Sequence, residues 1–402
     1  MNVTIFPSHA EGRVSAPPSK SMAHRLLISA ALSNGVSHLS GVSKCEDVLA
    51  TVDCLRVLGA DCQWSGENVT VHGMELSLPQ GNELILPCRE SGSTMRFMLP
   101  IALLSGREVT LVGASSLLRR PMTVYEELCV RHGLYFLQNE QGITVRGPLC
   151  AGAYELPGNV SSQFVSGMLF ALTKCGGASV LRILPPVESR SYILLTVAAL
   201  QAFGADVKWT DEYTLAINGG VEMQARDATV EGDYSNAAFL EAFNLFGGNV
   251  TVEGLDPDSL QGDRVYRDCF EQLKKENAVI SHEDCPDLAP ILFAVAAAQK
   301  GGRFIHTKRL KIKESDRAET MAQELRKFGV TVQVLSDEVI VEPTAFHAPT
   351  DVLCGHNDHR IVMALAVLCT LTGGVIEGAE ASRKSFPDFF ERIRTIGVEW
   401  KY

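Results

Sequence analysis

One pattern recurs six times along the chain. An apolar stretch of helical period ends at a glycine, and a β-branched run follows it. The stops fall at Gly35, Gly106, Gly177, Gly248, Gly302 and Gly374, at intervals of 71, 71, 71, 54 and 72 residues. A second series interleaves with the first: Leu55/Gly59, Cys129/Gly133, Leu200/Gly204, Leu273/Asn277, Leu325/Gly329 and Ile393/Gly397. Asn277 replaces glycine at the fourth place, as expected where a helix ends in a left-handed residue. A repeated unit of this length cannot bury its apolar face alone, so its neighbours must stack on it. Each interval has room for two helices and about four short strands, which predicts an α/β fold built from six copies of one unit. The short interval is assigned to the unit that carries Asp287 and Glu314.

Length and composition agree with two or three domains around sizeable cores, since 46% of the 402 residues are hydrophobic. The net charge of −11 argues against a surface that binds nucleic acid, because such affinity comes from neutralising phosphates. The 11 cysteines are scattered without paired spacing, which fits reduced thiols in a cytoplasmic protein better than a disulfide framework or a zinc site. The longest apolar run, Leu288 to Ala298, contains Pro290 and is too short to span a bilayer. No leader pattern, metal cluster or nucleotide loop is visible, so neither metal nor cofactor is expected.

The helix starts carry the functional signal. The first helices open with Ser19-Lys20-Ser21, Glu90-Ser91-Gly92-Ser93, Ser161-Ser162-Gln163, Asp233-Tyr234-Ser235, Asp287 and Asn357-Asp358-His359-Arg360. Second helices open near Arg120-Pro121, Ser189-Arg190-Ser191-Tyr192, Lys313-Glu314-Ser315-Asp316-Arg317 and Lys384-Ser385-Phe386-Pro387. Ser, Asp and Asn are ordinary caps. Cations are not, because the helix dipole already makes that end positive. Lys20, Arg120, Lys313, Arg317, Arg360 and Lys384 are each predicted within a turn of a helix N-terminus, where free amides and an added cation together suit an anion.

Taken in order, these stretches resemble the EPSP synthase (3-phosphoshikimate 1-carboxyvinyltransferase) family. The matching pieces are Pro17-Pro18-Ser19-Lys20-Ser21 with Arg25, Ser91-Gly92-Ser93-Thr94-Met95-Arg96, Arg120-Pro121-Met122, Ser161-Ser162-Gln163-Phe164, Lys313-Glu314-Ser315-Asp316-Arg317, Asn357-Asp358-His359-Arg360 and Lys384-Ser385-Phe386-Pro387-Asp388, from about residue 13 to 392. The resemblance implies a two-domain, inside-out α/β barrel of six two-helix, four-strand units, three per domain. Residues 19–230 would form one domain and residues 1–18 with 231–402 the other, with the active site in the cleft between them.

The resemblance also implies a reaction. The 5-hydroxyl of shikimate 3-phosphate adds to C2 of phosphoenolpyruvate, C3 gains a proton, and a tetrahedral ketal forms. Phosphate then leaves as C3 loses a proton. By resemblance Lys20, Gly92, Arg120, Gln163, Arg317, Arg360 and Lys384 contact phosphoenolpyruvate. Lys20, Ser21, Arg25, Ser161, Ser162, Gln163, Ser189, Tyr192, Asp287 and Lys313 hold shikimate 3-phosphate. Asp287 takes the hydroxyl proton, Glu314 handles the proton at C3, and Lys20 orients the hydroxyl and the leaving phosphate. The expected partners are these two small molecules, with no nucleic acid and no membrane, and the expected state is a cytoplasmic monomer.

The residues alone give Gly92 a reason of its own, since a Cβ there would crowd a ligand approaching the backbone. A carboxylate set among cations, as Glu314 is, suits proton transfer near bound anions. His359 reads as structural. Two positions depart from the family pattern: Glu90 stands where many members have Asn, and Arg309 where some do. Two other readings compete, a UDP-N-acetylglucosamine enolpyruvyl transferase and a non-catalytic anion-binding homologue. The first is disfavoured because Ser115-Ser116-Leu117-Leu118-Arg119 lacks the cysteine which that relative carries before its Arg-Pro motif.

Overall fold

The computed structural model describes residues 1–74 and 84–402. The chain divides into two compact units, Pro18–Glu231 and Met1–Pro17 with Gly232–Tyr402. Each has its own hydrophobic core.

In the unit Pro18–Glu231 the helices are α1 (Lys20–Leu32), α2 (Glu46–Val57), α3 (Gly92–Leu104), α4 (Ser115–Leu118), α5 (Thr123–Arg131), α6 (Ser162–Leu172) and α7 (Arg190–Ala202). The first helix of each repeat, α1, α3 or α6, is buried almost all round, as a helix apolar on every side must be. Helices α2 and α5 bury one face and expose the other. Gly167 lets α6 lie close to α3, because a Cβ there would collide with the Arg96 carbonyl and the Tyr125 hydroxyl. Three four-stranded sheets complete this unit. In each, a lead strand runs parallel to a second strand, and an antiparallel hairpin follows; Leu84–Pro87, Glu108–Val112, Gly142–Arg146 and Tyr135–Asn139 are one such set. The strands alternate: Ala178–Leu184 buries every second residue and exposes the rest. Helices therefore fill the core and the sheets form its wall.

The other unit contains α8 (Tyr234–Glu241), α9 (Tyr266–Leu273), α10 (Ala289–Ala298), α11 (Arg317–Lys327), α12 (His359–Thr372) and α13 (Phe389–Thr395). Helices α10 and α12, two of its first helices, are buried except at their last one or two residues. Two of its sheets have four strands and the third has two, Asn249–Glu253 beside Glu11–Ser15. This two-stranded sheet corrects the assignment of the short interval. The shortened unit is the one opening at Asp233, whose sheet has no hairpin, which accounts for an interval of 54 residues against 71. The unit that carries Asp287 and Glu314 has the full four strands, Val279–Ser281, Gly302–Ile305, Glu338–Val341 and Val332–Val334.

The lead strands are exchanged. Glu11–Ser15 precedes α1 in the chain but pairs in the sheet beside α8. Ala228–Thr229 precedes α8 but pairs with Val36–Ser40, next after α1. The N-terminal strand Asn2–Ile5 lies between Gly374–Glu377 and Trp400–Lys401, the last strand of the chain.

Every glycine of the second repeat series has positive φ, and Asn277 matches them at 57°. In the first series the left-handed residue shifts in the later repeats to Gly247, Gly301 and Gly373, one position before the stop read from sequence. No helix among the described residues is long and apolar enough to cross a membrane.

Candidate active site

The caps set the frame. Ser19, Ser91, Ser161, Asp233 and Asp358 each accept a backbone N–H of the helix they open. Asp287 does not cap. It lies in the 3-10 turn Pro286–Leu288 that leads into α10, and its carboxylate is used elsewhere. The cations divide in the same way. Lys20 and Arg317 are the first residues of α1 and α11, and Arg360 is the second of α12. Arg120, Lys313 and Lys384 instead precede their helices by three, four and five residues. Lys384 ends the 3-10 turn Ala379–Lys384, so the dipole argument applies to the first three cations and not to the others.

In the unit Pro18–Glu231, Lys20 pairs with Asp47 of α2 at 2.8 Å, with both side chains about nine-tenths buried. A hydrogen-bond chain of His24, Thr51, Thr94 and Ser91 then ties α1, α2 and α3 together. Burial holds His24 well below the usual imidazole range, and the Lys20 and Arg25 charges push the same way, so its ring is neutral. On α3, Gly92 abuts two guanidinium groups: a Cβ would lie 2.7 Å from Arg120 Nη1 and 3.2 Å from Arg96 Nη1. A side chain there would push against the two guanidinium tips and crowd them. Gln163 is held from both ends, accepting from Arg96 at 2.7 Å and donating to Ser93 at 2.8 Å.

Arg25 is turned inward. Only 2% exposed, it donates to Thr196 Oγ1, the Ser21 carbonyl and the Tyr192 carbonyl. Burial lowers its pKa to about 10. This tie between α1 and α7 fixes Ser21 and Tyr192 relative to each other. Ser189, beside Tyr192, is buried with left-handed backbone at the start of α7. Ser161 and Ser162 open α6 next to Gln163.

In the other unit, five charged side chains and a buried Asp358 form one network. Arg317, 1% exposed, donates to Asp287 at 2.8 Å, Glu314 at 2.7 Å and Asp358 at 2.9 Å. Asp287 also receives Lys313 and Arg360, each at 3.1 Å. Burial alone would lower the Arg317 pKa, but the charges of Asp358, Glu314 and Asp287 raise it, so it is always protonated. Lys313 goes the other way. Burial lowers its pKa, Asp287 opposes this, and the nearby Arg317 and Arg309 charges assist it. Lys384 donates to the Asn357 carbonyl at 2.7 Å, which places it beside the start of α12. His356 and Asn357 both have positive φ there, so the turn before α12 is strained at consecutive residues.

The sequence profile of EPSP synthase (3-phosphoshikimate 1-carboxyvinyltransferase) matches residues 6–393. The chain belongs to the EPSP synthase family. A 3-phosphoshikimate 1-carboxyvinyltransferase of Clostridium kluyveri is 37% identical, across 99% of this chain and 97% of its own. That of Clostridium novyi is 36% identical across 99% of both. In fold, the chain is similar to EPSP synthase from Acinetobacter baumannii (TM-score 0.79, 24% identity, all of both chains). It is also similar to the enolpyruvyl transferase NikO from Streptomyces tendae (TM-score 0.80, 15% identity, all of this chain and 98% of the other).

Several residues of this EPSP synthase family member escaped sequence reading. Asp47 holds Lys20, yet in the sequence it looks like any first-turn acid; Arg96 stands in the family-like stretch but has no role assigned there, and it holds Gln163. Asp358 was legible as a cap, but its second bond, to Arg317, was not. Of the two departures, Glu90 is partly buried just before the cap Ser91. Arg309 is 8% exposed and donates to the Glu283 carbonyl, so at least one of its amino groups is spent on the backbone. His359 is 1% exposed inside α12, in keeping with a structural part.

Proposed function

We propose that this chain transfers the carboxyvinyl group of phosphoenolpyruvate to the 5-hydroxyl of shikimate 3-phosphate, releasing phosphate. The observation that carries the reading is the network in which Arg317 and Asp287 join Lys313, Glu314 and Arg360. It supplies two carboxylates for proton transfer and three cations for the anions of both substrates. Asp287, held at its oxygens by Lys313, Arg317 and Arg360, accepts the hydroxyl proton as the oxygen attacks C2. Glu314 delivers a proton to C3 and takes one back as phosphate departs. Arg317, anchored by Asp358, keeps Glu314 and Asp287 in fixed positions for these two transfers. The cations stabilise the charge that develops on the leaving phosphate.

The unit Pro18–Glu231 contributes the complementary half. Lys20, Gly92, Arg120 and Gln163 receive phosphoenolpyruvate with Arg317, Arg360 and Lys384. Ser21, Ser161, Ser162, Ser189 and Tyr192 receive shikimate 3-phosphate with Lys313. Arg25 acts as a positioning residue beneath Ser21 and Tyr192. Neither unit alone carries both the hydroxyl-rich set and the Asp287–Glu314 pair, so this reading draws on residues of both units. A single copy of the chain then suffices, as a cytoplasmic monomer acting on small molecules, with no membrane or nucleic-acid partner.

A phosphate-release assay with both substrates, with the product identified by mass, tests the reading. Turnover dependent on both substrates is expected. Folded protein that releases no phosphate overturns it.

A further inference from the structure

Helix α11 grips the residues before α12 at two points. Arg317, its first residue, donates to Asp358, the cap of α12, at 2.9 Å. Glu324 stands seven residues further on, which returns it to the same face of the helix. Its carboxylate, 2% exposed, accepts from the Cys354 amide and from His356 Nε2, each at 2.9 Å. Lys327, also on α11, balances that charge at 2.8 Å. Between the two grips lie His356 and Asn357, with φ of 48° and 52°. The Asn357 carbonyl accepts from Lys384 at 2.7 Å. We propose that Glu324 and His356 are positioning residues, which set the Asn357 carbonyl and through it the Lys384 ammonium.

Left-handed backbone at successive residues costs free energy and persists only where the surroundings over-determine it. Backbone bonds close the turn: the Gly355 amide donates to the Glu377 carbonyl and the Asp358 amide to the Gly355 carbonyl, each at 2.9 Å. The His356 ring adds a tie at the strained residues themselves. Its anchor is firm, because a buried carboxylate that loses a donor is costly. Without that tie the turn relaxes toward ordinary backbone, the Asn357 carbonyl moves, and Lys384 is no longer held in place. Lys384 is one of the cations assigned to phosphoenolpyruvate above, so the effect on catalysis rests on that reading.

Steady-state kinetics on the full chain, with each substrate varied in turn, is the first test. Asn is at ease in left-handed backbone but too short to reach Glu324, so His356→Asn breaks the tie without adding backbone strain. KM for phosphoenolpyruvate should rise on the order of tenfold, the scale of one charge-assisted hydrogen bond, with KM for shikimate 3-phosphate unchanged. His356→Gln, which restores a donor near the Nε2 position, should recover most of the loss. Glu324→Gln should shift the same constant, since one amide oxygen cannot serve Cys354, His356 and Lys327 together. Should it fail to fold, His356→Asn decides alone. On a Lys384→Ala background, His356→Asn should add nothing further.

A second test needs no turnover. Acetic anhydride should acetylate Lys384 faster in His356→Asn than in the parent, with the exposed Lys308 as reference and both sites mapped by mass spectrometry. An unchanged KM for phosphoenolpyruvate, equal shifts in both KM values, the same rise persisting on the Lys384→Ala background, or unchanged acetylation of Lys384 would each overturn the proposal. A parent protein with no turnover sinks the functional reading instead, and acetylation then decides alone whether His356 places Lys384.

Discussion

The two units are built from the same repeat but handle charge differently. In Pro18–Glu231 Lys20 pairs with Asp47, and the buried Arg25 donates to the neutral oxygens of Thr196, Ser21 and Tyr192. In the other unit three carboxylates and three cations are interlocked around the buried Arg317. On the function proposed above, one unit offers an anion hydroxyls, amides and positive charge, and the other holds acids and bases in fixed mutual positions for proton transfer. In that reading a common scaffold serves binding on one side and chemistry on the other, because the side chains at its helix starts differ.

The same substitution made in each unit should break this symmetry. Asp287→Asn removes the proton acceptor and leaves Lys313, Arg317 and Arg360 short of one counter-charge. The turnover number should fall about a thousandfold, the scale of general base catalysis, while substrate binding survives. Steady-state kinetics with isothermal titration separates the two. If Asp287→Asn costs no more than tenfold, the proton-transfer half is wrongly placed.

Asp358→Asn addresses stability. The side chain is 0% exposed and keeps its shape as a helix cap, but Arg317 loses one charged partner. A loss of about 3 kcal/mol in urea unfolding is expected, as for a broken buried pair. An unchanged midpoint would show that Asp287 and Glu314 alone satisfy Arg317.

Acid should weaken both units, because each buries a neutral imidazole, His24 in one and His282 in the other. Burial sets His282 at about 4, against 6.5 for a free imidazole. A base with a lowered folded pKa binds fewer protons folded than unfolded between those values. Stability is therefore full above about pH 6.5 and falls until about pH 4. At about pH 5 the loss from His282 should be about 2 kcal/mol. His282→Phe, packed between Phe293 and Phe304, should flatten this limb in pH-resolved urea titrations.

Asp47→Asn should have the smallest effect. It releases Lys20 from its ion pair, at a cost of about 1 kcal/mol in unfolding free energy. It should also raise KM for phosphoenolpyruvate more than it lowers kcat. A larger loss of kcat than for Asp287→Asn would reverse the roles of the two units.

Much of this was legible in the sequence because backbone geometry writes itself in glycine. The stops at Gly59, Gly133, Gly204, Gly329 and Gly397, with Asn277 among them, mark left-handed residues, and only small or Asn side chains fit there. The site was legible as residue types at helix starts. Two things were not. A missing hairpin leaves only a shortened interval, and the interval does not say which unit lost it. Partnership across the fold leaves no local trace. Asp358 satisfies the local rule for a helix cap and Asp47 that for a first-turn acid, so their bonds to Arg317 and Lys20 emerge only when α11 meets α12 and α1 meets α2.

The placement of the first strand has a consequence for biosynthesis. Asn2–Ile5 is made long before its two neighbours, residues 374–377 and 400–401. The unit Pro18–Glu231 can assemble once residue 231 has emerged, because even its borrowed lead strand, Ala228–Thr229, precedes that point. Strand Asn2–Ile5 must wait until residues 374–401 have emerged. A nascent chain stalled after residue 231 and fully clear of the ribosome should therefore resist proteolysis from about residue 18 onward while its first residues are cut away. Protection of Asn2–Ile5 at that stage would show that the strand finds an interim partner.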